Sequence, residues 1–516
     1  MVQKNSQTVV FDGTPLTVIQ VAALAAGKAK VKLDTSDEFR ARIDRGAEFL
    51  EKLLREDGVI YGVTTGYGDS CSVSVPPELV YELPRHLYTF HGCGMGEAFS
   101  LEESRAILAA RLASLCQGYS GVRYRLLEQI STLLIRDIIP IIPQEGSVGA
   151  SGDLTPLSYL AAVLEGHREV WYRGEQLTTA EVYSAEGIEP ISLRPKEALA
   201  IMNGTAAMTG IACLAVTRAQ YVVRLATRIT SLCSVAVEGN DFHFDPMLFS
   251  VKPHPGQQQI AAWIHDDLHT GEVPRNSNRL QDRYSLRCAP HVIGVLQDML
   301  PTTVAFVERE LNSANDNPII DAEGEHVLHG GHFYGGHIAH AMDSLKAALA
   351  NVADLVDRQI AQTVDPKFNH GLPANLSGAT GTQAAINHGF KAVQIAASAW
   401  TAEALKGTLP ASIFSRSTEC HNQDKVSMGT IAARDCTRVL ELVEQVLAAG
   451  IAISCQGVAL RIRDGQLTLQ DLQPALQQDL ERTAQLLTFL TEDRPLEQDL
   501  RRLVEAIREK HWVLYA

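Results

Sequence analysis

The chain reads as a mainly α protein, a large helical bundle that carries a smaller, mixed and loop-rich N-terminal part. Three observations predict this. Beyond Ala198 apolar residues recur at spacings of three and four over long distances, as at Met342, Leu345, Leu349, Val352 and Val356, and again at Val439, Val443, Val446 and Gly450. Such residues share one face of a helix. The first 200 residues differ, with short elements separated by glycine-rich loops. No internal repeat, low-complexity tract or Pro/Gly/Ser linker divides the 516 residues, so a continuous fold with two loosely separated parts, 1–200 and 201–516, is expected. Apolar seams of this extent exceed what one chain's core ordinarily needs, which points to a helical oligomer.

In chain order, the contiguous apolar residues Val9 to Phe11 predict a short strand, and helices are expected near 36–56 and 101–118. Between them "YGVTTGYGDS", from Tyr61, places two tyrosines among glycines on a loop. "GSVGASGDLTPLSYLAAVLEG", Gly146 to Gly166, is a glycine-serine loop feeding a buried helix. Thr155 is its expected N-cap, Pro156 its first residue and Gly166 its stop. The glycine spacing fits neither a dinucleotide fingerprint nor a phosphate loop, and Ser151 lacks the second flanking glycine of a hydrolase elbow. Ala198 to Thr217 carries no charge over 20 residues, yet its Ala, Gly, Thr and Asn content suits a buried helix better than a membrane span. "QDRYSLRC", from Gln281, sets Tyr284 and Arg287 three apart, so one helical turn would face both to the same side. "HGGHFYGG" begins a run of His329, His332, His337 and His340, but glycines interrupt it and no acidic or cysteine ligand completes a set, so no metal is expected.

Composition narrows the function. The 45 basic and 60 acidic residues leave a net charge of −15, which argues against nucleic-acid or anionic-membrane partners and for small-molecule chemistry. Nine scattered cysteines form no Cys-x-x-Cys pair, so neither a disulfide framework nor a zinc ribbon is indicated and a reducing cytoplasm is the expected compartment. "MVQKNSQTVVFDG" has no apolar signal core.

With these islands in view, the chain resembles the aromatic amino-acid lyase family, which includes the histidine, phenylalanine and tyrosine ammonia-lyases and the related 2,3-aminomutases. "GSVGASGDLTPLSYL" looks like the family signature. "YGVTTGYG", "MNGT" at Met202 to Thr205, "KPHPGQ" at Lys252 to Gln257, "QDRYSLRC", "NDNP" at Asn315 to Pro318 and "HNQDKVSMG" from His421 follow the family order across most of the chain. The resemblance implies that Ala150, Ser151 and Gly152 cyclise and lose water to form 4-methylideneimidazol-5-one, an electrophile made from backbone. Ser151 would supply its methylidene carbon, and Gly152, without a Cβ, and the small Ala150 permit the closure. No external cofactor is then needed. The dipole of the following helix would favour electron density building there.

The same resemblance makes Tyr61 the base that takes the β-proton. A free tyrosine titrates near about 10, so the site is expected to depress that value with positive charge or hydrogen bonds. Tyr284 would assist proton transfer, Asn203 and Gln281 hold the amine and the ring, and Arg287 pairs with the substrate carboxylate through its planar fork. Gly68, Phe90, His91, His332, Phe333, Glu419 and Gln423 complete the implied substrate-binding set. His332 stands where the family commonly has Asn. Gln423 stands where histidine lyases typically carry Glu, which disfavours histidine as substrate. Phe90 and His91 occupy the two positions that sort aromatic rings, and His91 suits a phenolic hydroxyl. The reading is an ammonia-lyase acting on a tyrosine-like L-amino acid in a homotetramer with shared active sites. An aromatic 2,3-aminomutase, a histidine ammonia-lyase and a non-catalytic helical scaffold are the alternatives.

Overall fold

A computed structural model describes residues 7–56, 58–269 and 280–515. The first six residues, part of the stretch read as lacking a leader, lie outside them. The chain is mainly helical, with only small sheets of two or three strands among the described residues. It divides into two compact units. One comprises Met1–Thr217, Thr303–Asp343 and Pro410–Arg434; the other comprises Arg218–Thr302, Ser344–Leu409 and Asp435–Ala516.

In the first unit the strand Gln7–Phe11 pairs in parallel with Ala29–Leu33, Val9 opposite Val31, with the helix Val18–Ala25 between them. The helix Asp37–Arg55 starts where Ser36 caps the amide of Phe39, and it buries Phe39, Ile43, Phe49 and Leu50 on one face. Leu101–Leu115 begins at a Ser100/Glu103 capping box and is buried along most of its length. The helix behind the glycine-serine loop runs from Leu154 to Leu164, so it starts ahead of the expected Thr155 cap. Asp153 holds the cap position but makes no capping bond, because its carboxylate is taken by partners from distant segments. Gly166 does follow the helix in a left-handed conformation, at φ +84°.

The uncharged stretch Ala198–Thr217 is not one helix. Glu197–Met202 ends, Asn203 to Thr205 interrupt, and Ala206–Ala236 begins. The break arises because Gly204 pairs with the backbone of Gly152 while the Asn203 side chain is drawn to Asn317.

In the second unit the predicted seams close on themselves. Met342 precedes it, while Leu345, Leu349, Val352 and Val356 on Gly336–Val364, and Val439, Val443 and Val446 on Gly429–Arg463, are at most 1% exposed. A Cβ at Gly450 would stand 2.8 Å from Val356 Cγ1 and 3.2 Å from Ile229 Cγ2, so these helices approach as closely as glycine allows. The seams are therefore consumed inside one chain and do not argue for an oligomer. Buried charges in this unit are paired: Glu444 accepts from Arg218 at 2.8 Å and from Arg508 at 2.8 Å, and Arg228 meets both Asp267 and Asp479.

Two helices, Ala206–Ala236 and Gly429–Arg463, are long and apolar enough by composition to cross a membrane, but 83% and 89% of their most apolar windows are buried in the fold.

Candidate active site

The first unit contains a cavity of about 720 Å³, and most of the expected site residues meet there. Tyr61 and Gly68 come from the first glycine-rich loop, Phe90 and His91 from the end of the helix Leu83–His91, and Ala150 and Ser151 from the glycine-serine loop. Asn203, Phe333, Glu419 and Gln423 complete the wall. Gly152 sits behind Ser151, with its backbone against Gly204. His332 is exposed on its loop and does not line the cavity.

The loop carrying Ala150 is curled and pinned. Gly149, Ser151 and Gly152 have φ of +73°, +51° and +76°. For Ser151 this left-handed conformation costs about 1–2 kcal/mol, held by its surroundings. A Cβ at Gly152 would stand 2.1 Å from Gly204 O, so no other residue fits there. Asp153 N donates to Gly204 O at 2.7 Å, and Met428 N donates to Val148 O at 3.0 Å. The Asp153 carboxylate accepts from Ser147 Oγ at 3.2 Å, from Met208 N at 2.9 Å and from Thr430 Oγ1. Complete burial nevertheless pushes its pKa up to about 6. Leu154, the first helical residue, lines the cavity, so the positive end of that helix faces it. Gln423 Nε2 donates to Ser151 Oγ at 3.1 Å, and Thr418 Oγ1 holds Gln423 Oε1 at 3.1 Å. A tight curl that admits only glycine at position 152 and has a strained serine at its centre fits cyclisation of Ala150–Gly152.

Tyr61 accepts a hydrogen bond from the Gly68 amide at 2.8 Å. The adjacent Asp69 amide donates to the Glu419 carboxylate at 2.9 Å, and a Cβ at Gly68 would collide with that carboxylate. Glu419 thus braces the loop that orients Tyr61. Burial raises the Tyr61 pKa, Cys71 and Glu419 add to the rise, and only the Gly68 amide opposes it. This is the reverse of the depression that a base role calls for: no cation lies among the groups acting on the phenol.

His91 Nδ1 lies 3.0 Å from the Leu87 carbonyl oxygen. A carbonyl can only accept, so Nδ1 carries the proton and Nε2 of the neutral ring is left as an acceptor. Burial pushes the His91 pKa below the ordinary histidine value, which keeps the ring neutral. The Phe90 and His91 rings are 4.3 Å apart.

Gln281, Tyr284 and Arg287 belong to the second unit and do not line this cavity. They do sit together: Arg287 Cζ lies 4.6 Å over the Tyr284 ring, and its Nη2 donates to Gln281 Oε1 at 3.3 Å. Tyr284 is 72% exposed.

The cavity also draws on further residues of the same islands, among them Asn317, His329 and Lys425. Asn317 belongs to "NDNP", and His329, whose ring meets Tyr61 edge-on with centroids 6.2 Å apart, opens "HGGHFYGG". Their islands were the available signal. Among the described residues no three metal-ligating side chains gather.

The chain's residues 16–482 match the family described as aromatic amino acid lyase. It is 36% identical over 505 residues to a histidine ammonia-lyase of Gloeobacter violaceus, covering 97% of this chain and 96% of that protein. Among solved structures it is similar to the tyrosine aminomutase of Streptomyces globisporus, with a TM-score of 0.91 and 34% identity over 98% of both chains. It is also similar to the phenylalanine aminomutase of Pantoea agglomerans, with a TM-score of 0.89 and 30% identity over 98% of this chain and 99% of that one.

Proposed function

The chain belongs to the aromatic amino acid lyases, which are carbon–nitrogen lyases, and on that premise we propose that it eliminates ammonia from L-tyrosine or a close hydroxylated relative to give the arylacrylate. The observation that carries the substrate is His91. Its outward nitrogen is an acceptor beside an apolar ring wall, and a phenolic hydroxyl is the donor that satisfies it.

The residues at hand suit the family's prosthetic group. Ala150, Ser151 and Gly152 would form it, and when present it supplies an electrophile that turns the substrate amine into a better leaving group. Tyr61 then takes the proton from the β-carbon. Gln423, held by Thr418, steadies the Ser151 hydroxyl before the loop cyclises, and Asn203 Oδ1 accepts from the amine.

Lys425 lines the cavity, but a planar carboxylate anchor and a cation acting on the Tyr61 phenol are still required. Arg287 meets both needs when it comes from a second copy of the chain, together with Gln281 and Tyr284, in a homotetramer whose sites are shared. Complementation tests this. Tyr61→Phe and Arg287→Ala proteins, each poorly active alone, should regain activity when co-expressed, because mixed assemblies contain sites with both native residues. Persistent inactivity of mixed tetramers rules out shared sites.

A second reading, a 2,3-aminomutase that returns ammonia to the β-carbon, draws support from the likeness to the two aminomutases. Incubation with aromatic amino acids followed by mass analysis separates the two: loss of ammonia marks the lyase and an isomer of unchanged mass marks the mutase. Faster turnover of histidine than of tyrosine and phenylalanine overturns the benzenoid assignment.

His91→Leu should shift the ratio of kcat/KM for tyrosine over phenylalanine by about tenfold or more toward phenylalanine, since the acceptor worth roughly 1–3 kcal/mol is gone. In the unsubstituted protein the same ratio should fall as pH drops through the His91 pKa, below the usual value of about 6.5, because a protonated ring no longer accepts. A pH-independent ratio would remove His91 from that role.

A further inference from the structure

One buried group near the cavity has no part in the chemistry so far. Lys196 lies at φ +78° with its ammonium 2.6 Å from Asp316 Oδ2, and neither side chain is exposed. Burial draws the lysine pKa down while Asp316 holds it up. Such a pair is a costly way to fill a core unless its charges have a task.

The other oxygen of Asp316 points to that task. Asp316 Oδ1 accepts from the Asn317 amide at 2.6 Å and from Asn203 Nδ2 at 3.3 Å. Asn203 Nδ2 also donates to the Asn317 carbonyl at 2.7 Å. Both amide hydrogens of Asn203 are thereby used on one side. Its Oδ1 is buried with no hydrogen-bond partner, although Asn203 lines the cavity. Turned over, the amide would set its oxygen against a carboxylate and a carbonyl, three acceptors without a donor.

We infer that the Lys196–Asp316 ion pair is a positioning device that locks the Asn203 amide, leaving its oxygen to accept a hydrogen bond from the ammonium group of an α-amino acid in the cavity. The Asp316 carboxylate, paired with the Lys196 ammonium, offers only acceptors to its neighbours, so it tolerates one orientation of Asn203. An amide in place of Asp316 could donate as well and would permit the inverted orientation. The inference rests on the amino-acid reading of the cavity.

The test compares two ligands that share a ring, a side chain and a carboxylate and differ in the amine: L-tyrosine, read by KM, and 3-(4-hydroxyphenyl)propanoate, read as a competitive inhibitor. Asp316→Asn should raise KM about tenfold, the effect of a misdirected hydrogen bond to a charged group, and leave the inhibition constant unchanged. Because that variant strands the Lys196 charge, the double variant Lys196→Met/Asp316→Asn is measured beside it. Its melting temperature should recover while the amine-specific loss stays. Intact mass confirms that Ala150–Gly152 are processed alike in all variants. An active wild type whose variants lose both ligands equally, or whose double variant regains KM along with stability, makes the pair merely structural and overturns the inference. A wild type that neither turns over nor binds aromatic ligands overturns the reading of the cavity and this inference with it.

Discussion

Ser151→Ala should abolish ammonia release, lowering turnover on the order of a thousandfold or more, and it should also change the covalent mass of the protein. The unsubstituted protein is expected to be lighter than its sequence by two waters, one from closure of the ring and one from the serine hydroxyl. The alanine protein has no hydroxyl to lose. Unfolding does not explain such a loss. Before cyclisation the substitution deprives Gln423 Nε2 of its acceptor, and the mature protein has already shed that hydroxyl, so the cost is at most about 1–2 kcal/mol against a total stability of about 5–15 kcal/mol. Full-length mass in a fully active preparation refutes the assignment of Ala150–Gly152.

Tyr61→Phe carries the next largest effect. Removal of a general base lowers kcat by about a hundred- to ten-thousandfold, while ring packing against His329 and affinity for substrate are kept. The structure adds a pH signature. Burial pushes the phenol above its ordinary value within one chain and a second copy's Arg287 is the proposed counterweight, so kcat in the unsubstituted protein should climb as pH rises toward the Tyr61 pKa that results. The Phe variant should lose that climb. A Phe variant that retains kcat, or an unchanged pH profile, assigns proton removal to another group.

Part of the molecule is legible residue by residue because the code for it is local. Helical spacing at Leu345 to Val356, the stop at Gly166 and the strand at Val9 to Phe11 follow from periods and dihedral preferences that neighbours alone impose. The islands around Tyr61, Ser151 and Gln423 stand out because a helical background has no use for them, and the structure brings them to one cavity. Which partner a residue meets is not written in that local code. Thr155, directly before Pro156, is the cap that local order favours, yet the helix starts earlier, with Asp153 tied to Met208 and Thr430. The seams that suggested an oligomer are covered by other helices of the same chain.

The sequence by itself determined the family, the helical class and the triplet suited to cyclise, since each rests on residue types at short spacing. Only the tertiary structure decided that His91 offers an acceptor, that Glu419 braces the Tyr61 loop, and that Asn203 breaks a helix to face Asp316. The physical reason is reach: Gln423 meets Ser151 across 272 residues and Glu419 meets Asp69 across 350. No local preference specifies which distant carbonyl, carboxylate or amide completes a hydrogen bond, and those partners set the tautomer, the amide orientation and the direction of each pKa.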